Sequence, residues 1–268
     1  LALYKNAQNI GVPDIRLLEQ KEINSLEPNV EADIALQVGC TGIVSAHDLM
    51  AAFYKISQEG DHDYLFKSKV VGADSKSDGY EISIENAQGE LEKVLAGWVI
   101  NAAGLESDMV AQMLGGDYPT LRYSKGCYYK LSSKWRGAFK HLVYPLPDKK
   151  NGSLGIHLSY DESQMVKLGP SAHWVQNRVE NYDVEENLLD QFFTEGHRYI
   201  PGLEKEDLSP DYAGIRPKIW LNENPISDFY ISHEADKGYP GWINLIGIES
   251  PGLTASIAIG EDVATWII

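Results

Sequence analysis

The stretch "LIGIESPGLTAS", Leu245–Ser256, passes from an apolar strand pattern through a turn carrying Gly247, Pro251 and Gly252 into an apolar-periodic helix. A turn of this kind aims bare backbone N–H groups at its neighbour, and such groups favour something negative or electron-rich. Upstream, "WINLIGIE" supplies a buried strand. Downstream, Leu253, Ile257, Gly260, Ala264 and Ile267 mark one face of a terminal helix. The segment "GWVINAAG" has the same grammar, a buried strand ending in small residues that let a ligand or another backbone approach closely. A helix over Ser107–Leu114 follows it. Yet G-x-G-x-x-G occurs nowhere in the chain.

The chain has 268 residues, 43% of them hydrophobic and 23% charged, which suits one large globular domain or two of ordinary size. Its net charge of −16 argues against a nucleic-acid partner, while leaving room for a small anionic substrate wherever cations gather. The two cysteines, Cys40 and Cys127, lack C-x-x-C spacing and read as reduced core thiols. The seven histidines show no metal-ligand spacing, so no metal is expected. No apolar run is long enough for a transmembrane segment, and the expected location is cytoplasmic, with peripheral membrane attachment left open. The N-terminus opens at Leu1 as the body of a helix closed by Gly11, without the features of a signal peptide, which suggests a missing upstream part.

Read along the chain, Leu1–Ile10 is a helix, and "IRLLEQKEINSLEP" is a short strand, a helix from Gln20 and a stop at Pro28. Ser45 is the expected N-cap of a helix from His47 to Glu59 with an apolar stripe of Leu49, Ala52, Phe53 and Ile56. Tyr64–Val71, Tyr80–Asn86 and Glu90–Leu95 form an antiparallel meander, turning at "DSKSDG" and "AQG". From Leu121 the segments "LRYSKGCYYKL", "HLVYPL", "LGIHLSY" and "QMVKLG" read as strands of a mostly antiparallel sheet. A helix over Glu185–Tyr199 interrupts them, and "YAGIRPKIW" and "DFYISHEA" close the region. The fold class is therefore mixed, α/β with α+β character, in two discontinuous domains. Residues 40–117 and 238–268 make one, and residues 1–39 and 118–237 make the other.

Two side chains carry chemistry in this pattern. Arg216 in "AGIRPKIW" precedes a proline and stands two residues from Lys218. A guanidinium fork held in a strand suits a carboxylate bidentately, whereas an ordinary salt bridge is the plain alternative. His157 in "GIHLSYD" sits in a short strand flanked by glycine and aromatics, where an imidazole can accept a hydroxyl proton near neutral pH. No G-x-S-x-G elbow is present.

The series "TGIVSAHDLMAAF", "VINAAG", "KGCYYKL", "YPLP", "GIHLSYD", "YAGIRPK" and "NLIGIESPGLTAS" resembles, in order, the FAD-dependent oxidoreductases of the D-amino-acid-oxidase/glycerol-3-phosphate-dehydrogenase superfamily. Within it the L-2-hydroxyglutarate oxidase/dehydrogenase branch is most similar. The resemblance implies a Rossmann-like FAD-binding domain, here residues 40–117 and 238–268, and a substrate domain with a large antiparallel sheet, residues 1–39 and 118–237. Family members begin with strand–G-x-G-x-x-G–helix, so the FAD-binding domain reads as truncated, lacking roughly its first hundred residues.

By the same resemblance, Gly247, Ile248, Gly252 and Leu253 run beneath the flavin ring and ribityl chain, and Ala103 and Gly104 lie along the cofactor. A helix start at Gly252 would stabilise negative charge on a reduced flavin. Arg216 matches the residue that holds the substrate carboxylate. Lys218 or Lys125 is implied for the second carboxylate of a dicarboxylic 2-hydroxy acid, with L-2-hydroxyglutarate favoured. His157 is implied as the base that takes the hydroxyl proton while hydride leaves for the flavin. The electron acceptor stays open between oxygen, a quinone and a protein carrier. The alternatives are a non-catalytic ligand-binding or interaction domain and a flavin oxidoreductase for an amine or glycerol 3-phosphate.

Overall fold

The computed structural model describes residues 1–146, 155–175, 178 and 181–267. Pro147 at the end of "YPLP" and Leu154 at the start of "LGIHLSY" lie outside the described residues. The elements begin with α1 (Ala2–Asn9), β1 (Ile15–Glu19), α2 (Gln20–Leu26), β2 (Ile34–Val38), α3 (Ala46–Ser57), β3 (Lys69–Lys76), β4 (Gly79–Glu85), β5 (Leu91–Ala96), β6 (Val99–Asn101) and α4 (Ser107–Gln112). They continue with β7 (Thr120–Leu131), β8 (His157–Tyr160), β9 (Val166–Gly169), β10 (His173–Val175), α5 (Leu189–His197), β11 (Leu208–Leu221), β12 (Asn224–Pro225), β13 (Tyr230–His233), β14 (Trp242–Ile246) and α6 (Gly252–Ala264). Leu1–Ser45, Lys125–His173 and Glu180–Ile215 form one compact unit, and Ala46–Ser124, Trp174–Val179 and Arg216–Ile268 form a second.

In the first unit β8, β9, β7 and β11 neighbour one another in that order. Antiparallel pairs such as His157↔Gly169 and Tyr129↔Leu168 set the register. The alternation of "CYYKL" sends Cys127, Tyr129 and Leu131 to one face, where all three are buried. The helix α5 lays Phe192 against that face, its ring stacked on Tyr129 at 4.4 Å. Leu158, Leu168, Ile200 and Leu203 complete this core, each burial contributing about 1.5–3 kcal/mol. At the start of α2, Glu19 and Glu22 form a reciprocal capping box, which fixes the strand-to-helix switch at Gln20.

The second unit holds two three-stranded sheets, β3-β4-β5 and β13-β14-β6. The first is the antiparallel meander expected from the alternation. In the second, β13 runs antiparallel to β14 but β14 and β6 are parallel, paired as Trp242↔Val99, Ile243↔Ile100 and Asn244↔Asn101. Trp242, Ile243 and Ile246 are fully buried, and Tyr80 packs edge-on against Trp242 at 5.1 Å.

Several sequence expectations are corrected here. The strand expected over Tyr64–Val71 begins only at Lys69. Lys67 adopts a left-handed φ of 56°, which breaks the extended run, and Tyr64 and Phe66 join a ring cluster with Tyr54 instead. The turn at "DSKSDG" shrinks to Ser77 and Asp78, because β3 and β4 stay paired to Lys76↔Gly79. "HLVYPL" contributes one bridge, Val143 to Leu158, rather than a strand; its proline lacks the N–H that a ladder needs. The helix α5 is shorter than expected, preceded by a 3-10 turn at Glu186–Leu188. On α3 the apolar stripe forms but no residue is buried, and on α6 Leu253 and Ile257 are exposed while Val263 is buried. Cys127 is buried as expected. Cys40, in the loop after β2, is exposed and is not a core thiol.

A buried carboxylate ties the end of β7 to the start of β11. Asp207 accepts hydrogen bonds from Ser132 Oγ at 2.8 Å and from the Glu204 N–H at 3.0 Å, and pairs with Lys134 Nζ at 2.8 Å. Burial works against its ionisation, but the bonds from Lys134, Glu204 and Ser132 outweigh burial and hold its pKa at about 2. A depressed folded pKa gives stability that is present above the unfolded value near 4 and lost as pH falls toward about 2. Asp207→Asn should therefore melt below the parent at pH 7 by calorimetry, with the gap closing as pH falls from about 4 toward 2.

Candidate active site

Because β6 and β14 are parallel neighbours, their carboxyl ends open on the same edge of the sheet. "AAG" after Asn101 and "GIESPG" after Ile246 therefore leave side by side, at the edge where open α/β sheets bind ligands. The edge stands on a buried polar network. Asn101 Nδ2 donates to Asn244 Oδ1 at 2.8 Å and to the Ser107 carbonyl at 2.7 Å. Asn244 Nδ2 in turn donates to Glu234 Oε1 at 2.9 Å, and Lys237 closes on Glu234 Oε2 at 3.1 Å. Tyr123 donates to the Leu105 carbonyl at 2.7 Å, pinning the turn that follows Gly104. Burial, reinforced by Asp108, pushes the Tyr123 hydroxyl up to about 12, so it remains a donor at neutral pH.

The two turns use glycine for different reasons. Gly104 takes a φ of +57° with open space where a Cβ would stand, so the backbone itself is presented. Gly247 takes +69°, and a Cβ there would overlap the Ile219 side chain. Beyond this bend α6 starts at Gly252 with Pro251 as its N-cap and no side-chain cap. Among the described residues the N–H groups of Leu253 and Thr254 have no acceptor, as expected for an open helix start.

Arg216 and Lys218 lie two residues apart on β11 and so project from the same face. Both reach the bend. Arg216 Nε meets Glu249 Oε2 at 2.6 Å, and Lys218 Nζ pairs with Glu249 Oε1. A hollow of about 190 Å³ adjoins them, lined by Pro217, Ile219, Phe229, Gly247, Glu249 and Pro251 among others. The structure thus brings together the two cations of "IRPK" and the "GIESPG" bend within one unit, and sets the "NAAG" turn beside that bend. Sequence inspection missed Glu249. The available signal was an acidic residue inside an anion-favouring bend, in a chain with two cations at strand spacing. It also missed Asn101 and Asn244, each a polar residue in an otherwise apolar strand.

His157 and Lys125 belong to the first unit. His157 is buried at the start of β8 and stacked on Tyr144 at 4.2 Å, with Nδ1 3.3 Å from the Gly155 carbonyl. Lys125 Nζ lies 3.4 Å from Asn181 Oδ1. Another imidazole, His141, pairs through Nδ1 with Glu27 at 2.7 Å and meets Gln37 through Nε2 at 3.3 Å, so both ring nitrogens serve the fold. Among the described residues no cluster of three or more His, Cys, Asp or Glu side chains could hold a metal ion.

The model of the FAD dependent oxidoreductase family known as DAO matches residues 1–266. The chain belongs to this family. Among proteins of known function it is 30% identical over 304 residues to the mitochondrial L-2-hydroxyglutarate dehydrogenase of Arabidopsis thaliana, covering 98% of this chain and 62% of the relative. It is 32% identical over 307 residues to the Bos taurus enzyme of the same name, covering 98% and 66%. The chain thus spans less than two thirds of the lengths of these relatives. Among solved structures, FAD-bound L-alpha-glycerophosphate oxidase from Mycoplasma pneumoniae superposes with a TM-score of 0.79 at 22% identity, over 94% of this chain and 64% of that one. That likeness establishes the mixed α/β fold of the family. No helix of the described residues is long and apolar enough to cross a membrane.

The two glycines should respond differently to alanine. Gly247→Ala combines a left-handed φ with overlap on Ile219 and should cost about 2 kcal/mol or more of stability in denaturant titration. Gly104→Ala should cost only about 1 kcal/mol, for the φ alone.

Proposed function

We propose that this chain carries most of the substrate site and part of the cofactor site of an FAD-dependent 2-hydroxy-acid oxidoreductase, with L-2-hydroxyglutarate as the favoured substrate. The observation that carries this reading is the convergence of Arg216 on the glycine bend through Glu249, a paired contact beside a hollow of about 190 Å³. The names of the relatives supply the substrate class.

The sheet edge fits a flavin. Gly104 offers backbone over open space, and the uncapped start of α6 offers N–H groups to an electron-rich ring. Ala103, Gly104, Gly247, Ile248, Gly252 and Leu253 would hold it. When bound, the flavin supplies the acceptor for the hydride that leaves the substrate α-carbon.

The remaining roles fall to the chain's own side chains. The Arg216 guanidinium holds the carboxylate next to the carbinol carbon, which fixes which face of that carbon is presented. His157 is the candidate for the base that takes the hydroxyl proton. Lys125 and Lys218 are the candidates for the distal carboxylate.

The flavin-loaded protein should be yellow and should bleach anaerobically with L-2-hydroxyglutarate but not with its D enantiomer. Equal bleaching by both, or none by either, would reject the assignment. Arg216→Ala removes a charge-assisted contact worth about 1.5–3 kcal/mol, so KM should rise between about ten- and a hundredfold with kcat less affected. Unchanged kinetics would dismiss Arg216 as a ligand.

A further inference from the structure

Glu249 divides its two oxygens between the two cations of β11. Oε2 takes Arg216 through Nε at 2.6 Å, and Oε1 takes the Lys218 ammonium. The carboxylate is the most enclosed of the three, 15% exposed against 31% for Arg216 and 35% for Lys218. The contact with Arg216 is confined to Nε. The end-on fork of Nη1 and Nη2, the geometry that grips a carboxylate bidentately, is not used by Glu249. The charges of the triad sum to one positive unit, the complement of a single carboxylate.

We propose that Glu249 is a positioning and specificity-determining residue: it locks Arg216 through Nε so that the terminal fork receives one carboxylate, and it neutralises Lys218 so that Lys218 does not receive a second. The triad is then a one-carboxylate site, and the distal carboxylate of a diacid is met by groups outside it. This rests on the reading of Arg216 as the substrate's carboxylate ligand and narrows it, removing Lys218 from the candidates for the distal end.

The test compares L-2-hydroxyglutarate with L-2-hydroxybutyrate, which lacks only the distal carboxylate, as substrates of the flavin-loaded protein. Binding of glutarate and butyrate, measured by calorimetry, is the readout independent of turnover. Lys218→Met leaves Glu249 balanced by Arg216 alone, so KM and Kd should rise for both members of each pair by the same factor, about three- to tenfold. A tenfold loss confined to the dicarboxylates would mean that Lys218 anchors the distal group and would overturn the proposal, as would no change in either. Glu249→Gln releases Lys218, and the preference for dicarboxylate over monocarboxylate should rise about tenfold; an unchanged preference overturns the proposal too. Should Glu249→Gln fail to fold, Glu249→Asp keeps the charge and shortens the arm. It should raise KM equally for both acids with kcat and the preference retained, and a parental KM would count against the lock. If Arg216→Ala leaves binding of all these acids unchanged, the substrate-site reading itself fails. If Arg216→Ala weakens binding while Lys218→Met acts on dicarboxylates alone, only the role of Glu249 fails.

Discussion

The parallel pairing of β6 with β14 is the constraint from which the rest of the site follows. Parallel neighbours send their carboxyl ends to one edge, so two glycine-bearing turns more than 140 residues apart in sequence emerge together. The Asn101–Asn244 bond fixes that pairing. Side chains alternate along a strand, so a slip of one residue would turn each asparagine away from its partner and leave buried amides unsatisfied, at about 1–3 kcal/mol each. Ser107, Trp242 and Glu234 each add a further hydrogen bond to the pair, and a buried polar network of this kind specifies one register where an apolar core would tolerate several.

Charge is handled locally rather than globally. With 23 lysines and arginines against 39 acidic residues, the chain as a whole repels small anions at long range. Salt screens exposed charges beyond roughly 8–10 Å, so the field felt at the bend is set by its immediate neighbours. There Arg216 and Lys218 face one acid, and the local balance is positive in a negative protein. The half-buried setting of these side chains makes each charge weigh more than it would on the open surface.

Much of this was legible in the sequence, for identifiable reasons. The strand–turn–helix units at "NAAG" and "GIESPG" announce themselves through apolar runs that stop at small residues, and the boundary at Gln20 is encoded in the Glu19/Glu22 box. The cations of "IRPK" were visible because strand spacing puts them on one face. What periodicity does not carry is the identity of the partner. The stripe of α3 reads as amphipathic, yet Phe53 and Ile56 are exposed, because the pattern says which face is apolar and not what covers it. Likewise "HLVYPL" has strand composition, but its proline and the geometry at Val143 reduce it to one bridge. Lys67 shows the same limit, since a single left-handed residue cancels an otherwise plausible strand.

Glu249 is the instructive omission. Two cations at i and i+2 on one strand face stand about 6–7 Å apart at their roots. At an effective dielectric near 20, like charges at that distance repel by roughly 2–3 kcal/mol. A folded strand carrying such a pair in a half-buried setting therefore requires a counter-ion, permanent or borrowed. Had the counter-ion been only the substrate, the unliganded protein would bear the whole repulsion. Glu249, built into the very bend that the cations approach, offsets that repulsion by pairing with both and leaves one positive charge in surplus. The presence of two cations in "IRPK" is thus a statement about stability, and under the proposal made above the acid opposite them also sets how many carboxylates the site takes.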